Sequence, residues 1–448
     1  MEILTIGGYE QVGKNMTAVK IKDDVFLFDM GLYLPVLVEQ EEQDKQLKYT
    51  EDRLRSLGAI PNDLVLDKYG WKDKVRAIII GHAHLDHVGG VPYMAHRYPK
   101  ADIFGTPFTI EVLEFLLKDE KNSLPNRRRK ISLDSSYIVH GKSGDYKVEF
   151  ITSTHSTLQT SMVALHTPEG IFLYTLDFKF DNHPIIGSPP NYRRLQELGK
   201  KGVKAIVVDA LYSDNERKTA SERVARNMVE DAILSVRDRR SALFVTTFSS
   251  HIARIKSIVE FSNKLHRKPV FLGRSLNKYT KCAEQVGLAS FRRQAIVCTY
   301  KREVNSFLKK LNKNKGQYLI ICTGHQAEPG AILDRVSNDE TPFRFQSGDN
   351  VIFASSVIPT PINIQAREKM DKNLRKKGVR IQTDVHVSGH GGREDLRDLI
   401  EYTKPENIIP SHGTIQQISP LIDLASEMGY KLGETSHLSS NGRLLKLI

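Results

Sequence analysis

Six consecutive residues, His82-Ala83-His84-Leu85-Asp86-His87, constrain this chain more than any other stretch. Four metal-capable side chains stand within one short turn, directly after the apolar run Val75-Arg76-Ala77-Ile78-Ile79-Ile80-Gly81. Such a run reads as a strand, which delivers its last residues to a sheet edge, where loops hold functional side chains. Two His spaced by two, then an Asp and a His, can feed two adjacent cations from one turn, and zinc suits imidazole and carboxylate ligands. A His-rich surface loop is the plainer alternative, but the same context recurs. Asp29 follows Val25-Phe26-Leu27-Phe28, and His155 follows Phe150-Ile151-Thr152-Ser153-Thr154. Asp177 follows Ile171-Phe172-Leu173-Tyr174-Thr175-Leu176, and His412 follows Ile408-Ile409-Pro410-Ser411. Each closes a run of strand-like composition. One His after a strand is usually a hydrogen-bonded structural residue; beside the first cluster, these four strand-end residues stand as candidates.

The length of 448 residues suits about two domains. A formal net charge of +12 favours a polyanionic partner. Cys282, Cys298 and Cys322 form no CxxC pair, so neither a disulfide framework nor a thiolate zinc site is expected, and a reducing cytoplasm is. The start, Met1-Glu2-Ile3-Leu4-Thr5-Ile6-Gly7-Gly8, reads as a strand and turn rather than a signal peptide. No apolar run approaches the ~20 residues needed to span a bilayer, so no membrane partner is expected. Gly8-Tyr9-Glu10-Gln11-Val12-Gly13-Lys14-Asn15 nearly matches a phosphate-binding P-loop, but Asn15 replaces the Ser or Thr that would ligate magnesium. The alternating residues after it continue as a strand, so a Gly-rich turn between two strands is expected.

Short strands recur between turns from residue 1 to about 212, and from about 213 helices and strands alternate. Thr219-Ala220-Ser221-Glu222 reads as a capping box opening a helix towards Arg240. Strands are expected at Ala242-Leu243-Phe244-Val245-Thr246, Pro269-Val270-Phe271-Leu272, Ala295-Ile296-Val297-Cys298, Tyr318-Leu319-Ile320-Ile321 and Asn350-Val351-Ile352-Phe353-Ala354. That alternation predicts a mostly parallel sheet. Because His412 lies beyond this block, the first domain must resume after it. The expected boundaries are 1–212, 213–365 and 366–448.

The HxHxDH pattern resembles the metallo-β-lactamase superfamily. The resemblance implies that His82, His84 and His155 hold one divalent ion, that Asp86, His87 and His412 hold a second, and that Asp177 bridges them. Asp29 would orient a ligand or the bridging water from behind. Two ions roughly 3.5–4 Å apart would share a hydroxide and grip a scissile phosphate. Zinc is the expected metal; the donors also admit manganese.

A core of this kind interrupted by an α/β block resembles the β-CASP nucleases. The expected fold is α/β: an αββα sandwich split by an inserted β-CASP domain. Asp209, after Ala205-Ile206-Val207-Val208, and His390, in His386-Val387-Ser388-Gly389-His390-Gly391-Gly392, match two further landmarks. By resemblance, His390 protonates the leaving oxygen, Asp209 holds its ring, and Asp86 completes the catalytic group. A leaving sugar oxygen needs a proton, which His can supply near neutral pH.

Within that group the chain resembles the ribonuclease J family over essentially its whole length. Cys322-Thr323-Gly324-His325-Gln326-Ala327-Glu328-Pro329, Thr246-Thr247-Phe248-Ser249-Ser250-His251, His386 through His390 and Gly348 through Ser356 follow the family pattern. There are departures. Pro359-Thr360-Pro361-Ile362-Asn363 replaces the Pro-Gly-Asn-Glu of bacterial members, and His251 stands where Asn is expected. The further C-terminal domain of bacterial members and the KH-type extension of archaeal cleavage-and-polyadenylation-like nucleases are both missing, which fits a short archaeal type.

The resemblance implies single-stranded RNA as substrate, degraded 5′-to-3′ with a preference for a 5′-monophosphate, by a homodimer. Ser250, Ser355 and Ser356 are the candidates for the terminal phosphate, since hydroxyls and backbone amides suit that task. His386, Ser388 and His390 are the candidates for an internal phosphate. The basic runs at 126–130, 309–315 and 368–377 suit a nucleic-acid path, although any one alone reads as a solvated face. The acidic stretch 39–44 should not contact RNA. An endoribonuclease using the same metals, an RNA-binding scaffold without turnover, a small-molecule hydrolase and a DNA nuclease are the competing readings.

Overall fold

The computed structural model describes residues 1–43, 49–358 and 361–447. Asp44 of the acidic stretch and Pro359 and Thr360 of the departing run lie outside the described residues. The chain forms two compact units: Met1–Asn182, Ser188–Thr219 and Ser388–Ile448 make one, and His183–Gly187 with Ala220–Val387 make the other.

The first unit is a sandwich of two sheets with helices outside. One sheet runs in the order Arg443–Lys446, Glu2–Gly7, Met16–Ile21, Asp24–Phe28, Val75–Ile79, Asp102–Gly105 and Arg128–Lys130. The other runs Ile408–Ser411, Val203–Asp209, Gly170–Tyr174, Ser161–Thr167, Asp145–Thr152 and Ser135–His140. Strands buried on both faces divide their side chains by alternation. In Asp24–Phe28, Phe26 and Phe28 join the core between the sheets, while Val25 and Leu27 face the outer helices. In Gly170–Tyr174, Phe172 and Tyr174 face inward, while Ile171 and Leu173 meet Leu195, Leu198 and Leu399 from the opposite helical layer. The ring centroids of Phe28 lie 5.0 Å from Phe172 and 5.1 Å from Tyr174, closing the space between the sheets. The αββα expectation holds.

The Gly-rich turn joins Glu2–Gly7 to the antiparallel Met16–Ile21, as expected of a hairpin rather than a P-loop. Its residues matter to the site described below.

The second unit is a six-stranded sheet in the order Ile296–Cys298, Lys268–Leu272, Tyr318–Cys322, Leu243–Thr246, Asn350–Phe353 and Arg380–Gln382, with every pairing parallel. It extends beyond residue 365 to Val387. The helix Pro361–Lys376 drives Met370 and Leu374 into this unit's core, and Arg380–Gln382 pairs with Asn350–Phe353. Its main entry lies at 219/220 rather than 212/213. The Asn215 carbonyl accepts from Arg393 N, which keeps that segment in the first unit. The first helix runs Glu222–Leu234, short of Arg240, and its cap is Ser221, whose hydroxyl accepts from Arg223 N at 3.1 Å. Thr219 is not the cap: its hydroxyl donates to the His390 carbonyl. Among the described residues, no helix is long and apolar enough to cross a membrane.

Candidate metal centre

Every ligand of the expected set follows a strand of the first unit, and the sandwich brings them to one place. His82, His84, His155 and Asp177 form one group, and Asp86, His87, Asp177 and His412 a second; within each group the ligand atoms lie within 4.8 Å of one another. Asp177 belongs to both. Its Oδ2 is 3.6 Å from His82 Nε2, 3.5 Å from His155 Nε2 and 3.2 Å from His87 Nε2, and its Oδ1 is 3.5 Å from His412 Nδ1. Asp29, Asp177 and His412 have φ of 59°, 54° and 65°. Side chains rarely adopt this left-handed conformation, which costs free energy and concentrates at functional sites. Here it turns the chain sharply as each strand ends.

The residues fit a metal. Both ring nitrogens of His82 and the Oδ1 of Asp177 are buried without a hydrogen-bond partner. Buried polar atoms are nearly always satisfied, so these require a ligand. Burial, reinforced by neighbouring His residues, holds the His82 and His155 imidazoles well below their ordinary pKa, and burial brings His84 to about 4. Neutral imidazole is the metal-binding form. Burial would raise the Asp177 carboxyl, but His412, His87 and His390 hold it well below the usual range. His82, His84 and His155 therefore offer neutral nitrogen donors beside an ionised Asp177, whereas at His87 burial is outweighed by Asp177, Asp86 and Asp29, which hold its imidazole well above its ordinary pKa, so an ion there must displace a proton.

Outer groups orient these rings. His87 Nδ1 donates to Asp29 Oδ2 at 2.7 Å, the Tyr174 hydroxyl donates to the same oxygen at 3.0 Å, and Gly81 N donates to Asp29 Oδ1 at 2.9 Å. Asp29 thus stands behind His87. His155 Nδ1 donates to the Gly389 carbonyl at 2.6 Å. A Cβ on Gly389 would come within 2.9 Å of the His155 ring, so this close approach needs glycine. Tyr174, Gly389 and Asn15 were not singled out by sequence as site residues. Asn15 is fully buried among the ligands, with its Nδ2 3.1 Å from His87 Nε2. Only the turn that misaligned it with a P-loop hinted at it.

His390 stands against this cluster. Its ring centroid is 4.9 Å from that of His155 and 5.4 Å from that of His412. Its Nδ1 donates to Asp209 Oδ2 at 2.7 Å. Burial would lower its pKa, but Asp209 and Asp177 lift it to about 9. Its backbone is tied by the Thr219 hydroxyl and by Ser388, whose Oγ accepts from His390 N at 3.0 Å.

The expected phosphate residues are divided between the units. Ser250, Ser355 and Ser356 follow strands of the second unit, as Gln326 follows Tyr318–Cys322, so their loops share one sheet edge. Gln326 Nε2 donates to the Ser356 carbonyl at 2.9 Å, and Thr247 Oγ1 donates to that of Ala354 at 3.2 Å. Thr246 Oγ1, Ser355 Oγ and both ring nitrogens of His325 are buried there without partners. His386 lies in the second unit, 3.5 Å from Arg254. Ser388 lies in the first, occupied with His390. All three basic runs are partly consumed by ion pairs, the third through Lys377, 2.6 Å from Asp339. Arg128, Arg129 and Lys130 pair with Glu114, Asp102 and Glu111, and Lys315 is buried against Asp349 at 2.6 Å.

Three family models match the chain: "Metallo-beta-lactamase superfamily" over residues 10–189, "Ribonuclease J, beta-CASP domain" over 240–370, and "Zn-dependent metallo-hydrolase RNA specificity domain" over 378–433. The chain is 40% identical to ribonuclease J of Pyrococcus abyssi, with 100% of this chain and 97% of that protein covered. It is also 40% identical to ribonuclease J of Methanocaldococcus jannaschii, covering 99% and 98%. Ribonuclease J of Thermus thermophilus is 28% identical, and the match spans 100% of this chain but 74% of that protein. A crystal structure of a protein of unknown function from Enterococcus faecalis V583 shares the fold, with a TM-score of 0.61 at 18% identity over 99% of each chain. The interrupted sandwich, the ligand groups meeting at Asp177 and full-length identity to the archaeal proteins lead to one conclusion: this chain belongs to the ribonuclease J family.

Proposed function

We propose that this chain is a metal-dependent ribonuclease that degrades single-stranded RNA from the 5′ end, preferring a 5′-monophosphate, with two divalent ions, zinc or manganese, at the centre. The reading rests chiefly on the arrangement of two ligand groups sharing Asp177 beside the His390–Asp209 pair. His82, His84 and His155 would hold one ion, Asp86, His87 and His412 the other, and Asp177 both. Bound there, divalent ions supply Lewis acidity at a phosphodiester and activate water near neutral pH. The protein's own groups do the rest. Asp29, anchored by Gly81 N and Tyr174, fixes the His87 ring. Asp209 holds His390 in its cationic form, ready to give a proton to the leaving sugar oxygen. In the second unit, Ser250, Ser355 and Ser356 would receive the terminal phosphate, and unpartnered Ser355 Oγ supports a polar ligand there. A homodimer is the assembly the family resemblance implies.

Metal dependence and substrate class are tested together. The chelator-stripped protein is offered RNA and DNA of one sequence, with zinc or manganese added back. Metal-restored cleavage of RNA, lost in His84→Ala, supports the reading. Tight, salt-sensitive RNA binding without cleavage under either metal would reduce the protein to a scaffold, and preferred cleavage of DNA would reassign the substrate.

A further inference from the structure

The Gly-rich turn that the sequence reading set aside as a simple hairpin carries a second role. A ligating imidazole needs its other nitrogen held, and such partners tune metal affinity. His87 has Asp29, and His155 has the Gly389 carbonyl. For His412, the neighbour that can accept from Nδ1 at hydrogen-bond distance is Asn15, whose Oδ1 lies 3.2 Å away. Asn15 Nδ2 is itself directed at an acceptor, the Asp86 carbonyl, at 3.1 Å. That bond orients the amide, whose two ends both reach His412 Nδ1, Nδ2 at 2.9 Å and Oδ1 at 3.2 Å; once His412 ligates through its other nitrogen, Nδ1 carries the proton and Oδ1 is the end that can accept it.

The backbone locks the arrangement. Asn15 N donates to the Asp86 carbonyl at 3.0 Å, Gly31 N donates to the Asn15 carbonyl at 3.0 Å, and His412 N donates to the Gly8 carbonyl at 2.6 Å. Gly8 has φ of +92°, and a Cβ there would come within 2.3 Å of Asn15 Oδ1. Turn, HxHxDH segment and last ligand are therefore clasped together. The Asn15 contacts fall on Asp86, His87 and His412, with none on His82, His84 or His155.

We propose that Asn15 is a positioning residue for the second ion alone: it holds His412 through Nδ1, presents Nε2 as the ligating atom, and gives this ligand a neutral acceptor where His87 has a carboxylate. The inference rests on the two-ion reading of the centre. The test is stepwise uptake of zinc and of manganese by metal-stripped protein, followed by calorimetry and by metal analysis after gel filtration. Wild type should take up two equivalents. Asn15→Ala should keep the first unchanged and bind the second about 10–100-fold more weakly. Asn15→Asp, which keeps an acceptor for His412 Nδ1 but loses the donor to the Asp86 carbonyl, should bind the second less than tenfold more weakly than wild type; it carries the test if Asn15→Ala fails to fold. Two equivalents of unchanged affinity in a folded Asn15→Ala, or tenfold weaker second binding in Asn15→Asp, would overturn the inference and leave the two-ion reading intact. No uptake by wild type would overturn both.

Discussion

Both units place polar residues at or just past the ends of strands, but of different chemistry. In the first unit these are Asp and His, meeting around Asp177, with outer partners on His87, His155 and His390. In the second they are Thr246, Ser250, Ser355 and His325, several with buried atoms that no protein group satisfies. The charged cluster of the second unit does not ligate at all. Arg254 pairs with Glu222 and donates to the Ala354 and Val385 carbonyls, which pins the Ser355 loop and the chain leading into His386. One edge is built to concentrate cations, the other to leave small neutral donors open.

The contrast is broken most sharply by Asp177→Ala, which removes the group common to both ligand sets. RNA cleavage should fall by on the order of 10⁴-fold or more, while Ser355→Ala should mainly narrow the difference in rate between 5′-monophosphate and 5′-triphosphate RNA. Equal losses from the two variants would erase the distinction between the edges. Next in size is Arg254→Ala. It removes the two-pronged partner of Glu222, whose carboxyl His251 and Arg254 hold well below the usual range against the effect of burial, and leaves it only His251. The loss should be about 3–5 kcal/mol in urea unfolding, as for other broken buried pairs. A smaller effect is expected of Tyr174→Phe, which removes one of the donors to Asp29 Oδ2: about 0.5–1.5 kcal/mol of weaker metal binding, read by chelator competition.

The last effect is a pH slope in the second unit, read as a change between two pH values. Burial, with the nearby Arg367 charge, pushes the His325 imidazole down to about 3. The unfolded chain takes up this proton near pH 6.5 and the folded chain resists it. Stability from the neutral ring is thus fully present above about pH 6.5 and is lost as pH falls towards 3. His325→Leu should flatten the change in urea midpoint between pH 7 and pH 4.5; an unaltered slope would place the acid sensitivity elsewhere.

The first unit's ligands were legible because a buried Asp or His is costly without a purpose, so His82 through His87, Asp177 and His412 stood out at strand ends. The layers came from the resemblance, because Asp24–Phe28 and Gly170–Tyr174 are apolar on both faces and divide their side chains only once packed. Asn15 and Tyr174 were not legible: an amide and a phenol are ordinary residues, and their partners lie far away in sequence, Asn15 meeting His412 and Tyr174 meeting Asp29. Gly389 is visible only once His155 is seen against it. The inserted unit runs on past residue 365 because the helix Pro361–Lys376, charged along much of its length, sets its few apolar residues in that unit's core. Local pattern identifies what is expensive to bury; it does not reveal which cheap residues converge.

The central claim is metal-dependent degradation from a 5′ end, and its most direct test uses three single-stranded RNAs labelled at the 3′ end. They differ only in carrying a 5′-monophosphate, a 5′-triphosphate or a 5′-hydroxyl, and each is followed with zinc or manganese beside a His84→Ala control. The account predicts progressive shortening from the 5′ end, fastest for the monophosphate and absent in the control. Internal cutting at equal rates whatever the 5′ group would contradict it and make the chain an endoribonuclease.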